Sequence, residues 1–356
     1  MPKTSTCIKV PKTQGEKTIA LTHKLGIIDK SLQIQKDAHS ICIPLIRQPS
    51  EEEEATLRTQ IPSSQLEIRP FTEKKLPAKT LVEVLEKQLP PHLLASLPKS
   101  LDIVGDIAII EVPPELKPHE SLVGSAILET HKNVKTVLAK AGAITGTYRL
   151  RDFTLIAGEP KTRTIHKEFG CSYQVDVAKA YFSPRLSHEH KRVASIVQEG
   201  ETVVDMFAGV GPFAVLIAKT NLDVKVYAVD VNPEAVELLR TNVRLNRVEN
   251  RVFPILGDAR QVVEEMLAGV ADRVIMNLPE NAIEFADAAC KATKQGGGTI
   301  HFYSFIRLPD TPENLQLRFS KTVEKAGRKV DKILLSKTVR ETAPYEWQVV
   351  LDAKIL

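Results

Sequence analysis

No apolar run in this chain is long enough to span a bilayer, which excludes an integral helical membrane protein. Cysteine is scarce: Cys7, Cys42, Cys171 and Cys290 are scattered with no C-x-x-C pair, so neither zinc nor a disulfide framework is indicated. The start, Met1-Pro2-Lys3-Thr4-Ser5, carries no apolar leader, and no Arg-rich amphipathic presequence follows; a cytoplasmic protein is expected. There is no internal repeat or low-complexity tract. Charge of neither sign dominates: the net +4 permits a nucleic-acid partner without demanding one.

What is present is ordinary globular composition, 43% hydrophobic and 26% charged, over 356 residues, enough for two or three domains. Residues 1–72 read as a small unit: a strand at Cys7-Ile8-Lys9-Val10, a helix over 17–25 stopping at Gly26, and a strand at Ile41-Cys42-Ile43-Pro44-Leu45. The run Glu51-Glu52-Glu53-Glu54 reads as a solvated loop or helix start, and 69–77 as a linker. Residues 73–178 read as a second unit. It holds a helix over 80–89 stopped by Pro90-Pro91, two strands about a Gly105-Asp106 turn, a helix over 120–131 and a strand over 134–138. A hairpin over 164–177 feeds residues 179–356, where strand and helix alternate as in a doubly wound, mostly parallel α/β sheet.

The hub of that last unit is Val203-Val204-Asp205-Met206-Phe207-Ala208-Gly209-Val210-Gly211-Pro212-Phe213. A β-branched run ends in an acid, two glycines permit close backbone approach, and Pro212 opens a helix whose free amides attract an anionic group. No Lys-Ser/Thr follows the glycines, so this is no P-loop. Gly209-x-Gly211-x-x-Ala214 satisfies the dinucleotide pattern, and Asp230 follows at roughly the expected 20 residues. A carboxylate there can hold the ribose of NAD or of S-adenosylmethionine. Asp205 favours the latter, because a carboxylate repels a pyrophosphate but attracts the ammonium of a methionine tail.

Further polar groups fall at strand ends, where ligands bind in such sheets. Asp258 is placed to accept from the adenine amine, with a helix N-cap as its bland alternative. Asn277-Leu278-Pro279 ends the fourth strand with an amide able to bond a planar base edge and a proline that stiffens the turn. With Phe207, Val231 and Ala259 beside them, these residues make up the expected cofactor pocket. His188, Glu189 and His190 are not read as metal ligands: residues two apart face different sides of a helix, and no third ligand signature exists. Lys161, Arg163, His166, Lys167, Lys179, Arg185, Lys191 and Arg192 form a basic stretch, either a solvated face or an RNA-phosphate track.

Together, Tyr181-Phe182-Ser183-Pro184-Arg185-Leu186-Ser187-His188-Glu189-His190, the 205–213 loop and Asn277-Leu278-Pro279 resemble the archaeal and eukaryotic tRNA (guanine-37-N1)-methyltransferase family. The likeness runs from the first strand to Ala343-Pro344-Tyr345. It implies a Rossmann-type class I methyltransferase domain (179–356) preceded by two smaller α+β domains. Of these, 1–72 contacts the tRNA and 73–178 shapes the active site and binds RNA. It implies S-adenosyl-L-methionine as cofactor, tRNA as partner and a monomer. By the same resemblance Glu189 is the general base, Arg149 the clamp on guanine O6, and Asn277 with Pro279 positions the base. His190 falls at a cofactor-contacting position, though many relatives carry Arg there. Arg149, Arg185 and Lys167 are the expected RNA contacts, Arg185 supporting either Glu189 or a phosphate, and Tyr148 or Phe182 is a candidate to stack on the flipped guanine. Three other readings stand beside this one: aminocarboxypropyl transfer from the same cofactor in wybutosine-type modification, an NAD-dependent oxidoreductase, and a non-catalytic RNA-binding protein.

Overall fold

The computed structural model describes residues 3–73, 80–98, 100–142, 146 and 148–356. The chain divides into two compact units, Met1–Lys79 and Thr80–Leu356.

In the first unit β1 (Lys3–Pro11), α1 (Gly15–Lys24), β2 (Gln35–Lys36), β3 (Ser40–Pro44), α2 (Glu51–Gln60) and β4 (Gln65–Phe71) follow in order. The strands form an antiparallel sheet in the order β2-β3-β1-β4. Ile8, Val10, Ile27, Ile43, Leu57 and Ile61 are buried together beneath it. The glutamate run is the first turn of α2: Ser50 accepts from the Glu53 amide while the Glu53 carboxylate accepts from the Ser50 amide. Acids there meet the positive end of the helix dipole. The expected linker is corrected in part, because Arg69-Pro70-Phe71 ends β4. Proline is tolerated there because β4 is an edge strand, with no ladder bond to lose on its open side. The rest of that stretch, from residue 74, lies outside the described residues.

The second unit opens with α3 (Leu81–Leu85) and α4 (Pro91–Ala95). A four-stranded sheet follows, β5 (Asp102–Val104), β6 (Ile107–Ile110), β7 (Thr136–Lys140) and β8 (Phe153–Gly158), with α5 (Glu120–Thr130) crossing between the parallel β6 and β7. Gly105 sits at φ 57 in the β5–β6 turn; a Cβ there would lie 2.2 Å from Thr164 Oγ1, so the turn must be bare to seat on the next element. That element is the hairpin β9 (Arg163–Glu168) and β10 (Cys171–Asp176).

The large sheet comprises β11 (Thr202–Asp205), β12 (Lys225–Asp230), β13 (Val252–Leu256), β14 (Arg273–Met276), β15 (Gly298–Arg307), β16 (Val330–Ala343) and β17 (Glu346–Ile355). Their order is β13-β12-β11-β14-β15-β17-β16, parallel until β17 and β16 add antiparallel edges. Helices α6 (Ser187–Ile196), α7 (Pro212–Thr220), α8 (Pro233–Asn246), α9 (Ala259–Val262), α10 (Ala286–Ala292) and α11 (Pro312–Lys325) complete it. Asn242 and Asn246, one turn apart on α8, imitate a missing strand: each amide side chain accepts from and donates to the backbone of β10, at Gln174 and Ser172. The hairpin is thereby fixed to α8. One buried cluster runs from Val104, Ile107 and Leu138 through Tyr173 to Val203, Phe213 and Leu239.

Candidate active site

A cavity of about 350 Å³ opens where β11, β12, β13 and β14 end, and the turn after each contributes to its wall: Gly209, Asp230, Asp258 and Asn277. This is the crevice at strand carboxyl ends that the alternating pattern predicts. The glycine loop is tied down by its own backbone, Ala208 donating to Val229 O at 2.8 Å and Gly211 to Ala208 O at 2.8 Å. Gly211, at φ 88, precedes α7, and a Cβ there would come within 2.2 Å of Leu239 Cδ1. Its role is to let the loop close against α8; it does not line the cavity. Gly209, at φ 55, does.

The acids differ in what they hold. Asp230 accepts from the Gly209 amide at 2.6 Å and the Asn232 amide at 2.9 Å, and burial raises its pKa against those two bonds. Asp258 Oδ1 accepts from Arg260 and Gln261 amides, so the residue caps α9 while lining the cavity. Asp205 is completely buried and stands behind the wall. Among the described residues neither of its carboxylate oxygens makes a hydrogen bond of ordinary geometry. Burial pushes it up to about 7, with Asp230 adding to the rise and the Phe207 amide opposing it. Phe207, Val231 and Ala259 lie on the wall as expected.

Opposite the acids, the turn after β14 carries Asn277, Pro279 and Glu280. Arg149 meets this turn with both arms of its guanidinium, Nη1 at 2.7 Å from Glu280 Oε2 and Nη2 at 2.9 Å from Oε1. Its backbone adopts φ 56, a left-handed conformation unusual for a residue with a side chain. A second cavity, also about 350 Å³, lies beyond, and Arg149, Tyr181, Glu280, Phe305 and Arg340 line both. Arg340 fixes that shared wall, donating to Ser183 Oγ at 2.9 Å and to Gln348 Oε1 at 2.9 Å. Tyr148 lines the first cavity and Phe182 the second.

Glu189 is not on either wall. It lies in the first turn of α6, 2% exposed, with Oε1 at 2.5 Å from Lys337 Nζ. Its Oε2 accepts from Arg192 Nε at 2.8 Å and from the Tyr303 hydroxyl at 3.1 Å. Burial pushes its pKa up, but Lys337 and Arg192 outweigh that, so the carboxyl is held below its ordinary range. Arg192 is itself anchored by Asp352 at 2.6 Å, and Asp352 Oδ1 lies 2.6 Å from His301 Nδ1. The Lys337 side chain is 40% exposed, so the outermost partner of this carboxylate faces solvent.

Three further expectations are redirected. His190 is buried, 2.7 Å from Glu168 through Nδ1 and edge-on to Phe213, so its ring faces the interior and not the cofactor cavity. Arg185 pairs with Asp102 at 2.5 Å and lines the second cavity, not Glu189. Lys167 borders a separate groove by the hairpin with Lys161 and Arg163. Sequence reading also missed Glu280, Lys337 and Arg340. Glu280 was signalled by adjacency to the Asn-Leu-Pro turn; the other two come from β16, which no local pattern links to the site.

A parallel sheet with a glycine loop after its first strand and acids ending the next two defines a Rossmann-type enzyme of the class I methyltransferase kind. A family model described as the TRM5/TYW2 methyltransferase domain matches residues 164–335. Models of the TYW2 N-terminal domain and of the tRNA methyltransferase 5 N-terminal domain match 81–162 and 7–54. The chain is 40% identical to the Pyrococcus abyssi tRNA (guanine(37)-N(1))-methyltransferase Trm5b, covering 98% of each. It superimposes on the structure of aTrm5 in complex with tRNALeu with a TM-score of 0.73 at 32% identity, covering 98% of this chain and 99% of that one. A Pyrococcus horikoshii tRNA(Phe) (4-demethylwyosine(37)-C(7)) aminocarboxypropyltransferase is 35% identical, over 77% of this chain and 95% of its own. The chain belongs to the TRM5/TYW2 methyltransferase family.

Proposed function

We propose that this chain is a tRNA methyltransferase that transfers a methyl group from S-adenosylmethionine to N1 of guanosine 37. The observation that carries the reading is the relation to a tRNA (guanine(37)-N(1))-methyltransferase along nearly the whole of both chains, the N-terminal unit included. The aminocarboxypropyl reading is weaker, because its representative matches a smaller share of this chain. In this proposal residues 1–72 contact the tRNA, 73–178 shape the substrate side of the site, and 179–356 hold the cofactor. The enzyme acts as a cytoplasmic monomer.

The residues present fit the cofactor. Asp230 offers the cavity a carboxylate whose bonds are to backbone amides, suited to ribose hydroxyls. Asp258 offers an acceptor for the adenine amine, and Asp205, buried behind the loop, biases it toward an ammonium group. When bound, S-adenosylmethionine supplies an electrophilic methyl group on a positive sulfur.

The chain's own residues then do the rest. Guanine N1 carries a proton at neutral pH, so a base must take it and a cation must meet charge developing on O6. Arg149 presents paired N–H donors for O6. Asn277 hydrogen-bonds the base edge from a turn that Pro279 stiffens. Glu189, which lines neither cavity in this structure, is the proposed acceptor of the N1 proton and must swing toward the base to take it. Its depressed pKa keeps it ionised, and the exposed ammonium of Lys337 is the partner that must yield Oε1 for the proton to arrive. A methyl-transfer assay on a guanosine-37 tRNA transcript tests the reading, with 1-methylguanosine expected on nucleoside mass spectrometry and no product as the adverse result.

A further inference from the structure

Among the carboxylates on the cavity walls, Glu280 lies on the stretch that the two cavities share. It projects from the turn that carries Asn277 and Pro279, lines both cavities, and is half exposed, with a side-chain exposure of 52%. Its two oxygens occupy the two arms of the Arg149 guanidinium. A donor pair and an acceptor pair therefore stand face to face on the wall the cavities share. Arg149, whose backbone is left-handed, also lies beside Tyr181, whose ring centroid is 5.8 Å from the guanidinium carbon.

The Watson–Crick edge of guanine has the complementary pattern. O6 accepts, whereas N1–H and the exocyclic 2-amino group donate. A base edge entering between these side chains replaces one ion pair with two charge-assisted hydrogen bonds, O6 taking the Arg149 donors and the 2-amino group giving its protons to Glu280. Adenine reverses the polarity: an amine would face Arg149 and a C–H would face Glu280. Hypoxanthine keeps O6 and N1–H but lacks the 2-amino group, leaving the carboxylate parted from Arg149 and unmatched.

We propose that Glu280 is a specificity-determining residue that reads the 2-amino group of the target guanine. The inference rests on the guanosine-37 reading above. Glu280 is not the proton acceptor here, since its partner amine keeps its protons and N1 stays free to react.

The test compares kcat/KM for tRNA transcripts bearing guanosine or inosine at position 37, with the wild-type protein, Glu280→Ala and Glu280→Gln. The ratio of two substrates on one preparation is independent of how much of a variant is folded. Wild type should prefer guanosine by about 10- to 100-fold, the range for a hydrogen bond to a charged group. Glu280→Ala should bring the ratio near one, and Glu280→Gln, which keeps an acceptor oxygen without the charge, should fall between. A purely structural ion pair would lower both substrates together and leave the ratio intact. An unchanged ratio in Glu280→Ala, or equal use of both substrates by wild type, overturns the inference while methylation of guanosine 37 leaves the functional reading standing. Failure of wild type on both transcripts overturns the two together.

Discussion

Asp205 and Glu189 are buried carboxylates in the same unit, yet their surroundings drive them in opposite directions. Asp205 ends β11 with no hydrogen-bond partner of ordinary geometry among the described residues, and burial lifts it to about 7. Glu189 suffers the same burial, but Lys337 and Arg192 more than reverse it. Burial sets the cost of the charge, and the partners set the sign of the shift. On the glycine-loop side the buried acid is therefore left without a compensating partner among the described residues. The α6–β16 side already holds its carboxylate ionised, as the proposed base role requires.

That contrast can be broken most severely at Glu189. Glu189→Gln should cut single-turnover methyl transfer by about 100- to 10,000-fold, the usual range for a general base. Donor affinity by calorimetry should stay as in the wild type, and an equally active variant removes the base assignment. Asp205 tests the other side through stability. Its folded pKa is raised above the ordinary 3.8, so between about 4 and 7 the native state binds more protons than the unfolded one. Stability is then fully present at low pH and lost as pH rises through that window, by up to about 4 kcal/mol. Urea midpoints of Asp205→Asn, measured across this window, should show a flatter slope than wild type. A subtler effect is expected at Lys337. Removing its ammonium as Lys337→Met withdraws a cause that holds Glu189 low, so the acid limb of the pH–rate profile should move to higher pH. A limb that stays in place would show that Arg192 alone sets the charge.

The parts of this site that depend on local pattern were legible in the sequence. Asp230, Asp258 and Asn277 sit where strands end, and strand ends are marked by the switch from apolar runs to turn chemistry. The start of helix α8 was readable because Asn232 caps it and Pro233 opens it. The parts that depend on distant chain were not. The partners of Glu189 include Tyr303 and Lys337, more than a hundred residues away, and nothing local marks them. Strand β16 runs to Ala343 although its second half is exposed and charged, because that stretch is held by ladder bonds to β17 and not by an apolar pattern. Arg69-Pro70-Phe71 was read as linker from its proline; only the sheet order shows that an edge strand can carry one.

The reading as a whole turns on where the methyl group lands. Incubating the protein with radiolabelled S-adenosylmethionine and transcripts bearing guanosine or adenosine at position 37, then digesting to nucleosides for mass spectrometry, resolves this directly. The account predicts label in 1-methylguanosine from the guanosine transcript and none from the adenosine one. Label at another atom, or equal labelling of the adenosine transcript, would contradict it.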